Sequence, residues 1–230
     1  MKEKFKDLHI NVKKLEIPNK TPEEFAQEVC EMTFLGKSKI PLSKLYRSEH
    51  SPVRTQIFWI TFKNIPLFIS THFIRHHVGS TPFQLTCRDD RKGGNVDLKT
   101  KLRQFAEKCS FFDVNDTDIV ELYNSIDRYT PVNLGLLVNA QALMDMAKLR
   151  ECQQSHKETI YVFKELVKEI GKIDESLVKY MVPKCVYRGG ICGEPMACGW
   201  NKTKAFENEL KKYISNFDEN QLSKNLVNKQ

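Results

Sequence analysis

The sequence lacks an apolar run long enough to cross a membrane as a helix. Its longest apolar stretches, VRTQIFWITF and PLFISTHFI, are much shorter than the roughly 20 residues that span a bilayer. The lysine-rich start, MKEKFKDLHI, also lacks the apolar centre of a secretory signal peptide. We therefore expect a soluble, cytoplasmic protein that neither spans nor binds a membrane.

The sequence has no internal repeats, and its composition is not typical of disorder over most of its length. A chain of 230 residues with 40% hydrophobic residues can bury a substantial core. We expect a single domain over residues 1–200, followed over residues 201–230 by a C-terminal amphipathic helix and a polar tail.

The positive charge of the chain is not gathered into a basic stripe. The net charge is +7, but lysines alternate with Asp and Glu along the whole sequence. An excess distributed in this way is typical of a solvated surface, so we expect no direct binding of nucleic acid. Phosphorylated small molecules fit this charge balance at least as well.

Hydrophobic periodicity predicts both strands and helices. Apolar and polar residues alternate within Phe5–Ile17, and Val53–Phe62 is the strongest strand of the sequence. The TPEE motif at residue 21 combines an N-cap, a first-turn proline and acidic residues, and predicts a helix through FAQEVCEM. The turn NIP after the second strand leads into another helix. Further helices are predicted at Leu42–Arg47, Leu98–Cys109, Lys157–Ile170, Glu175–Met181 and Phe206–Ile214.

The segment Val132–Leu149 is apolar nearly all round and predicts a long, buried, central helix. At about 100° per residue, Asn139 and Arg150 fall on one face of such a helix. Gln141 and Asp145 fall on nearly the opposite face. A buried helix with two polar faces is suited to two ligands or two neighbours.

Three adjacent basic residues, Arg75-His76-His77, end an apolar segment. We expect His72 to share a helix face with Arg75 and His76, which follow it by three and four residues. Cations at the point where a buried helix opens onto a loop suit a phosphate group. His72 and His76 lack the glutamate of an H-E-x-x-H motif, which argues against a zinc hydrolase. Taken alone, three adjacent basic residues are more often solvated than functional.

The order of the polar motifs is more specific than any one of them. A Glu-His pair at residues 49 and 50 precedes the second strand, the RHH motif follows it, and NAQALMDMAKLR ends in Arg150. This order resembles the flavin-dependent thymidylate synthases, whose pattern is a Glu-His pair, a strand, a helix ending in Arg-His-Arg, a Ser-x-Arg, and a helix reading Asn-x-Arg-x-x-x-Asn-x-x-x-x-Arg. The resemblance covers about residues 40–160. It implies an α+β fold with a central antiparallel sheet and helices packed around a long buried helix, in a homotetramer with sites between subunits.

The resemblance also implies an activity. The family transfers a methylene group from methylenetetrahydrofolate to C5 of dUMP, and FAD that NADPH has reduced supplies the hydride. The protein then holds and orients molecules that carry the difficult chemistry. Matching positions imply catalytic roles for Arg150 and His50; flavin binding by Arg75, His76, His77, His50, Asn139, Gln141 and Asp145; and nucleotide binding by His72, Gln84, Thr86, Arg88, Arg128 and Arg150.

Several letters depart from the family pattern. His77 stands in place of Arg, Thr86 in place of Ser, His72 in place of Gln, and Gln141 and Asp145 in place of a flavin-binding Arg and Asn. Arg to Gln removes a permanent cation, and Asn to Asp adds a negative charge where a flavin diphosphate would lie. Two alternatives therefore stay open: a related pyrimidine-nucleotide C5 methylase or hydroxymethylase, and a non-catalytic nucleotide-binding relative that has lost its flavin.

The chain has seven cysteines, an odd number that argues for reduced thiols or metal ligands rather than a disulfide framework. Four of them, Cys152, Cys185, Cys192 and Cys198, follow Arg150 or lie in a glycine-rich stretch. They are candidate ligands of one structural zinc ion. Their spacing is not that of a standard C-x-x-C knuckle, and free buried thiols are the alternative.

Overall fold

The structure is a computed structural model that describes residues 1–33, 36–85 and 128–217. Its strands are β1 (His9–Leu15), β2 (Ile57–Pro66), β3 (Ser80–Gln84) and β4 (Pro131–Asn139). Its helices, numbered within the described residues, are α1 (Pro22–Glu31), α2 (Leu42–Ser48), α3 (Leu67–Ile74), α4 (Ala140–Arg150), α5 (Lys157–Gly171), α6 (Glu175–Val178), α7 (Lys184–Tyr187) and α8 (Lys204–Ile214). Short 3-10 helices lie at Glu3–Phe5, Ser51–Thr55 and Trp200–Lys202.

The described strands form a four-stranded antiparallel sheet in the order β1-β2-β4-β3. The register of β2 and β4 shifts between Phe62 and Ile65, where Asn64 adopts a φ of 59°. An irregularity of this kind bends a strand, and α3 begins directly after it. The predicted α+β fold with a central antiparallel sheet is confirmed.

One face of the sheet carries the core. Its buried side chains come from alternate positions of the two central strands: Phe58, Ile60, Phe62, Leu134, Leu136 and Val138. Phe73 of α3 packs between Phe62 and Phe163 of α5, with ring centroids 5.4 and 6.0 Å apart. Helices α3 and α4 both contact β4. The core thus fixes the end of α3 and the whole of α4 against the same strand.

The prediction of one long helix over Val132–Leu149 was wrong in its first half. Residues 131–139 form β4, in which buried and outward positions alternate, and the helix begins only at Ala140. The Asn139 side chain accepts a hydrogen bond from the Ala142 amide at 2.9 Å and so begins α4. The outward residues Gly135 and Leu137 are themselves non-polar, so the strand has the same apolar composition as a buried helix. The buried helix is confirmed for α4, most of whose side chains are inaccessible.

The predicted start of α1 is confirmed in detail. The Thr21 hydroxyl accepts a hydrogen bond from the Glu24 amide, while the Glu24 carboxylate accepts one from the Thr21 amide at 2.7 Å. This reciprocal pair is a capping box, which satisfies two backbone donors that would otherwise lack partners.

The ends of other elements differ from the sequence prediction. β2 begins at Ile57 rather than Val53, because a 3-10 helix occupies Ser51–Thr55. Helix α3 ends at Ile74, so Arg75 and His76 follow the helix rather than share its face with His72. The predicted helix at residues 98–109 and the polar tail from residue 218 lie outside the described residues. None of the helices in the described ranges is long and apolar enough to cross a membrane.

Candidate active site

The turn after α3 lies against the beginning of α4. Gly79 has a φ of +72°, and a Cβ atom at this position would lie 2.6 Å from Nδ2 of Asn139. The Asn139 amide donates to the Gly79 carbonyl oxygen at 2.9 Å. Only glycine combines this backbone conformation with so close an approach. The turn therefore fixes Arg75, His76 and His77 beside α4.

His76 and Arg150 form the contact at the centre of the site. The Arg150 Nε–H donates to Nε2 of His76 at 2.8 Å. Burial and the Arg150 charge lower the pKa of His76 to about 4, so the imidazole is neutral near pH 7 and accepts this hydrogen bond. Burial, followed by the charge of Arg75, also lowers the pKa of Arg150, although a guanidinium keeps its proton. His76 thus orients Arg150 without neutralising it.

A wider group of basic residues surrounds this pair. Burial lowers the pKa of His72, and the charges of Arg150, Arg75, His156 and Arg128 act in the same direction. Nδ1 of His72 lies 2.9 Å from the Thr159 hydroxyl, and the Arg128 guanidinium lies 4.4 Å from the Phe68 ring centroid. His72, a predicted nucleotide ligand, therefore lies within the electrostatic influence of both Arg150 and Arg128.

His156 is part of this group and was missed by the sequence analysis. Its ring packs edge-on against Phe68, with centroids 4.9 Å apart. It stands directly before α5, in the stretch QQSHKE. A lone histidine before a helix carries no motif, so only the packing of α5 beside α3 reveals its position.

The group is suited to an anion or to a carbonyl oxygen. Within the part of the chain that the structure describes, neither Arg75 nor Arg150 forms an ion pair with a carboxylate. Arg75 and His77 are exposed, whereas His76 and Arg150 are half-buried. Desolvating an arginine costs free energy that an oxygen ligand would offset.

A second polar cluster lies on the opposite side of α4. Glu49, at the end of α2 with a φ of 51°, accepts hydrogen bonds from Gln141 at 2.7 Å and from Lys148 at 3.0 Å. Lys148 also contacts Asp145 at 3.0 Å, and its Nζ lies 4.1 Å from the Tyr187 ring centroid. Burial opposes ionisation of Glu49, but hydrogen bonds from Gln141 and Lys148 lower its pKa overall. No motif in the sequence indicates that Lys148 and Tyr187 take part in this cluster.

This cluster changes how a flavin can fit. Gln141 and Asp145, the two positions where the family carries flavin-binding Arg and Asn, are already joined to Glu49 and Lys148. Two carboxylates and one ammonium group do not form a diphosphate site. Gln141 and Asp145 therefore do not fit the flavin-binding role that the resemblance implies for them.

The other residues predicted to bind flavin or nucleotide do not all lie in the basic group around Arg150. His50 lines a separate surface cavity with Leu45, Ser48 and Pro52, and none of the basic group around Arg150 lines that cavity. Gln84 ends β3 and is partly buried. Thr86 and Arg88 lie outside the described residues.

The four candidate zinc ligands, Cys152, Cys185, Cys192 and Cys198, line one small pocket. All four are free thiols, and Cys198 is exposed. Burial raises the pKa of Cys152 and of Cys185. Within residues 1–33, 36–85 and 128–217, no three His, Cys, Asp or Glu side chains are already arranged to hold a metal ion.

Comparison with known proteins gives a match in three dimensions only. No family model matches the sequence, and no curated protein matches it. Among solved structures, thymidylate synthase X (ThyX) of Helicobacter pylori with FAD and dUMP is similar with a TM-score of 0.52 and 14% identity, covering 76% of this chain and 99% of that chain.

Two further structures lie just below that level of similarity. A second flavin-dependent ThyX of Helicobacter pylori, complexed with FAD and dUMP, has a TM-score of 0.49 and 15% identity over 75% of this chain and 99% of that one. The UMP/dUMP methylase PolB of Streptomyces cacaoi, bound with 5-Br dUMP, has a TM-score of 0.49 and 16% identity over 75% and 94%.

At such low identity, structural similarity establishes the fold and not the activity. The first match spans nearly the whole of the other chain, so it concerns the complete domain rather than a shared motif. It agrees with the order of motifs in the sequence. The chain therefore has the fold of the flavin-dependent thymidylate synthases.

Proposed function

We propose that this protein is a flavin-dependent thymidylate synthase that converts dUMP to dTMP by reductive methylation at C5. The observation that carries the proposal is the Arg75, His76 and Arg150 group, in which two guanidinium groups have no carboxylate partner among the described residues. The ThyX structure of the same fold contains FAD and dUMP, which supports a pyrimidine nucleotide as a ligand of this chain.

Arg150 is the proposed catalytic residue. Its guanidinium donates to a carbonyl oxygen of the uracil ring and stabilises the negative charge that develops there as C5 attacks the one-carbon donor. The neutral His76 accepts the Nε–H of Arg150 at 2.8 Å and leaves the terminal nitrogens for substrate. A protonated imidazole could not accept this bond, so the low pKa of His76, about 4, is part of the arrangement.

Further residues hold the nucleotide in this proposal. Arg128 and His72 lie in the same basic region as Arg150 and bind the nucleotide phosphate and sugar. Gln84, Thr86 and Arg88 complete the substrate site. In this proposal Thr86 binds substrate and is not a nucleophile, because a β-branched hydroxyl is poorly activated without a positioned base.

FAD is held by Arg75, His76, His77 and Asn139, with His50 contributing from a neighbouring subunit. Reduced FAD supplies the hydride when it is bound, with NADPH as its reductant and methylenetetrahydrofolate as the one-carbon donor. Arg75 and His77 are exposed and so remain accessible to a dinucleotide at the surface. Gln141 and Asp145 act with Glu49 and Lys148 to fix α2 against α4.

The proposed assembly is a homotetramer with sites between subunits. The face of the sheet that carries no core has apolar outward residues on all four strands: Leu15, Ile57, Trp59, Phe83 and Leu137. Trp59 and Phe83 pack edge-on with centroids 5.8 Å apart, and Phe83 is 56% exposed. An exposed apolar face of this kind marks an interaction surface.

The Glu49–Lys148–Asp145 cluster favours a second candidate function. Because it occupies the positions of two expected flavin ligands, it suits a relative that acts on another pyrimidine nucleotide, transfers a hydroxymethyl group, or binds nucleotide without catalysis. The product formed from dUMP separates these possibilities.

Turnover of dUMP tests the proposal. The full chain is incubated with dUMP, FAD, NADPH and methylenetetrahydrofolate labelled in its methylene carbon, and nucleotides are separated by chromatography. We expect FAD-dependent label in dTMP. Label in 5-hydroxymethyl-dUMP would support the second candidate instead, and absence of any labelled nucleotide would contradict an enzymatic role.

A further inference from the structure

Four cysteines from three parts of the chain converge on one pocket. Cys152 lies two residues beyond α4, Cys185 lies in α7, and Cys192 and Cys198 lie in the following loop. Cys152 and Cys192 are far apart in sequence, so the fold and not local chain geometry brings them together. Four thiols with one shared pocket are an uncommon outcome for a chain with five cysteines among its described residues.

The loop that carries two of these thiols is held near Cys152 by few contacts. The Gln154 side-chain amide donates to the Met196 carbonyl oxygen at 2.6 Å. Gly189, Gly190 and Gly199 all have positive φ values, and a Cβ atom would meet nothing within 4 Å at Gly189 and Gly199. None of residues 188–199 is buried, so hydrophobic packing does not hold this loop in place.

We propose that Cys152, Cys185, Cys192 and Cys198 bind one Zn²⁺ ion as four thiolates in a closed tetrahedral site. Zinc prefers thiolate ligands in structural sites, and thiolates exclude the hard cations Mg²⁺ and Ca²⁺. Each thiol releases its proton to solvent as its sulfur binds the metal. This site is independent of the proposed reaction and touches neither nucleotide nor flavin.

The metal-free arrangement is open. No three of the four sulfurs are yet at ligand positions, so side-chain rotation and contraction of the glycine-containing loop accompany binding. Cys198 is exposed and Cys192 is partly exposed, which leaves an entry path for the ion. Metal binding would therefore draw residues 188–199 toward Cys152.

Basic groups beside the pocket offset the charge of the site. A zinc ion with four thiolates carries two net negative charges. Lys184 lines the pocket, and the Arg188 guanidinium lies against Gly193, where an added Cβ atom would be 2.2 Å from it. Glu194 is the acidic residue of the same pocket and lies 4.0 Å from Lys184.

The zinc site would hold α7 against α4. Cys152 follows α4, whereas Cys185 lies two residues before Tyr187, whose ring contacts Lys148. Lys148 in turn pairs with Glu49. A shared metal ion would therefore join Cys152, two residues after Arg150, to the helix that supports the Glu49–Lys148 cluster.

Metal analysis of the tag-free full chain tests the inference. We expect one zinc ion per chain after dialysis. A mercurial reagent that reacts with the four thiols should release this zinc in proportion to the number of thiols that have reacted. Replacement by Co²⁺ should give the intense visible bands of a tetrahedral site and the near-ultraviolet charge-transfer bands of cobalt thiolate. Absence of bound zinc together with absence of these bands would overturn the proposal, as would disulfide bonds among the four cysteines in the intact mass.

Variants identify the ligands. Cys192 lies in the exposed loop. We expect Cys192→Ser to lower the amount of bound zinc at least tenfold and to weaken the cobalt thiolate bands. Cys30→Ala, which removes a buried thiol in α1, is the matched control and should keep full metal content. Equal zinc content in both variants would overturn the assignment. Neither readout depends on flavin or dUMP, so failure here is distinct from failure of the proposed function.

Discussion

At the residue scale, the charge state of His76 decides how Arg150 is presented. The pair is half-buried, and Arg150 uses its Nε–H on a neutral imidazole rather than on a carboxylate. A carboxylate partner would neutralise the positive charge of Arg150. A neutral imidazole instead fixes the orientation of the guanidinium and leaves its charge free to interact with an anionic ligand.

Arg150→Lys should weaken binding of dUMP by about ten- to a hundredfold. Lysine keeps the charge but loses the fork of donors, and a hydrogen bond to a charged group contributes about 1.5–3 kcal/mol. Titration calorimetry measures the change in Kd. Arg54→Lys, at an exposed position in the 3-10 helix after His50, is the control and should bind as the wild type does. Equal affinity of both variants for dUMP would show that Arg150 does not bind the nucleotide.

His76 should make folding stability depend on pH. Its pKa is about 4 in the folded chain and 6.5 when free, so only the unfolded chain takes up a proton as pH falls through this window. The free energy of unfolding therefore decreases between about pH 6.5 and pH 4. His76→Gln keeps an acceptor for Arg150 and should show a smaller loss between pH 7 and pH 5 in urea titrations. The exposed His77→Gln serves as control, and identical slopes for all three proteins would contradict the buried neutral state.

At the element scale, the turn between α3 and β3 joins the basic motif to the start of α4. Gly79 and Asn139 meet there through both a backbone hydrogen bond and direct contact. The geometry of the candidate site therefore depends on a residue that carries no functional group.

Gly79→Ala should destabilise the fold and weaken nucleotide binding. The positive φ of +72° costs about 1 kcal/mol for alanine, and the methyl group would also displace the Asn139 side chain. Gly189→Ala, with a φ of +64° and open space around it, is the matched control for backbone strain alone. Thermal unfolding and dUMP titration should show a larger loss for Gly79→Ala. Equal losses would mean that contact with Asn139 contributes nothing.

Helix α8 covers a buried carboxyl group. Glu151 is 5% exposed and lines a cavity with Lys212 and Tyr213 of α8. Burial raises its pKa to about 8, against an opposing effect of Lys164, so the folded chain retains a proton that the unfolded chain loses above about pH 4.5. The contribution of Glu151 to the free energy of unfolding therefore decreases as pH rises from about 4.5 to 8.

Glu151→Gln should stabilise the protein at pH 7 by on the order of 2–3 kcal/mol, because glutamine resembles the protonated acid and removes the cost of protonation. Urea unfolding at pH 5 and pH 8 should show the gain increasing with pH. Glu207→Gln, on the exposed side of α8, is the control. A gain that does not grow with pH would rule out the buried acid as its source.

Sequence patterns predicted elements well where one signal was unambiguous. The capping box of α1 and the amphipathic helix α5 required only local residues. β4 was mistaken for helix because Gly135 and Leu137 on its outward face are non-polar, which obscures the alternation that marks a strand. Of the candidate site, the Arg75, His76 and Arg150 set was found by motif order, whereas His156, Lys148 and Tyr187 required the packing of separate helices.

At the scale of the whole molecule, the sheet presents one face to the core and the other outward. The outward face is mixed: Trp59, Phe83 and Leu137 form an apolar patch on it beside polar residues of β1 such as Lys13. Such a face agrees with assembly in solution and with sites that draw residues such as His50 from another subunit.

Light scattering after size-exclusion chromatography should give about four times the 26.8 kDa chain mass. Leu137→Glu places a charge in the apolar face and should shift the mass toward smaller species. Met32→Glu, at another exposed apolar position on the far end of α1, should leave the mass unchanged. A wild-type monomer would contradict the proposed assembly.

In the proposed function, the basic group around Arg150 holds a pyrimidine nucleotide next to a flavin. The visible absorption spectrum of the purified full chain, recorded after addition of FAD, removal of excess FAD and titration with dUMP, reports both ligands at once. We expect retained flavin whose bands shift on addition of dUMP, with the shift lost in Arg150→Lys. A chain that retains no flavin, or a flavin spectrum that dUMP leaves unchanged, would contradict the proposed function.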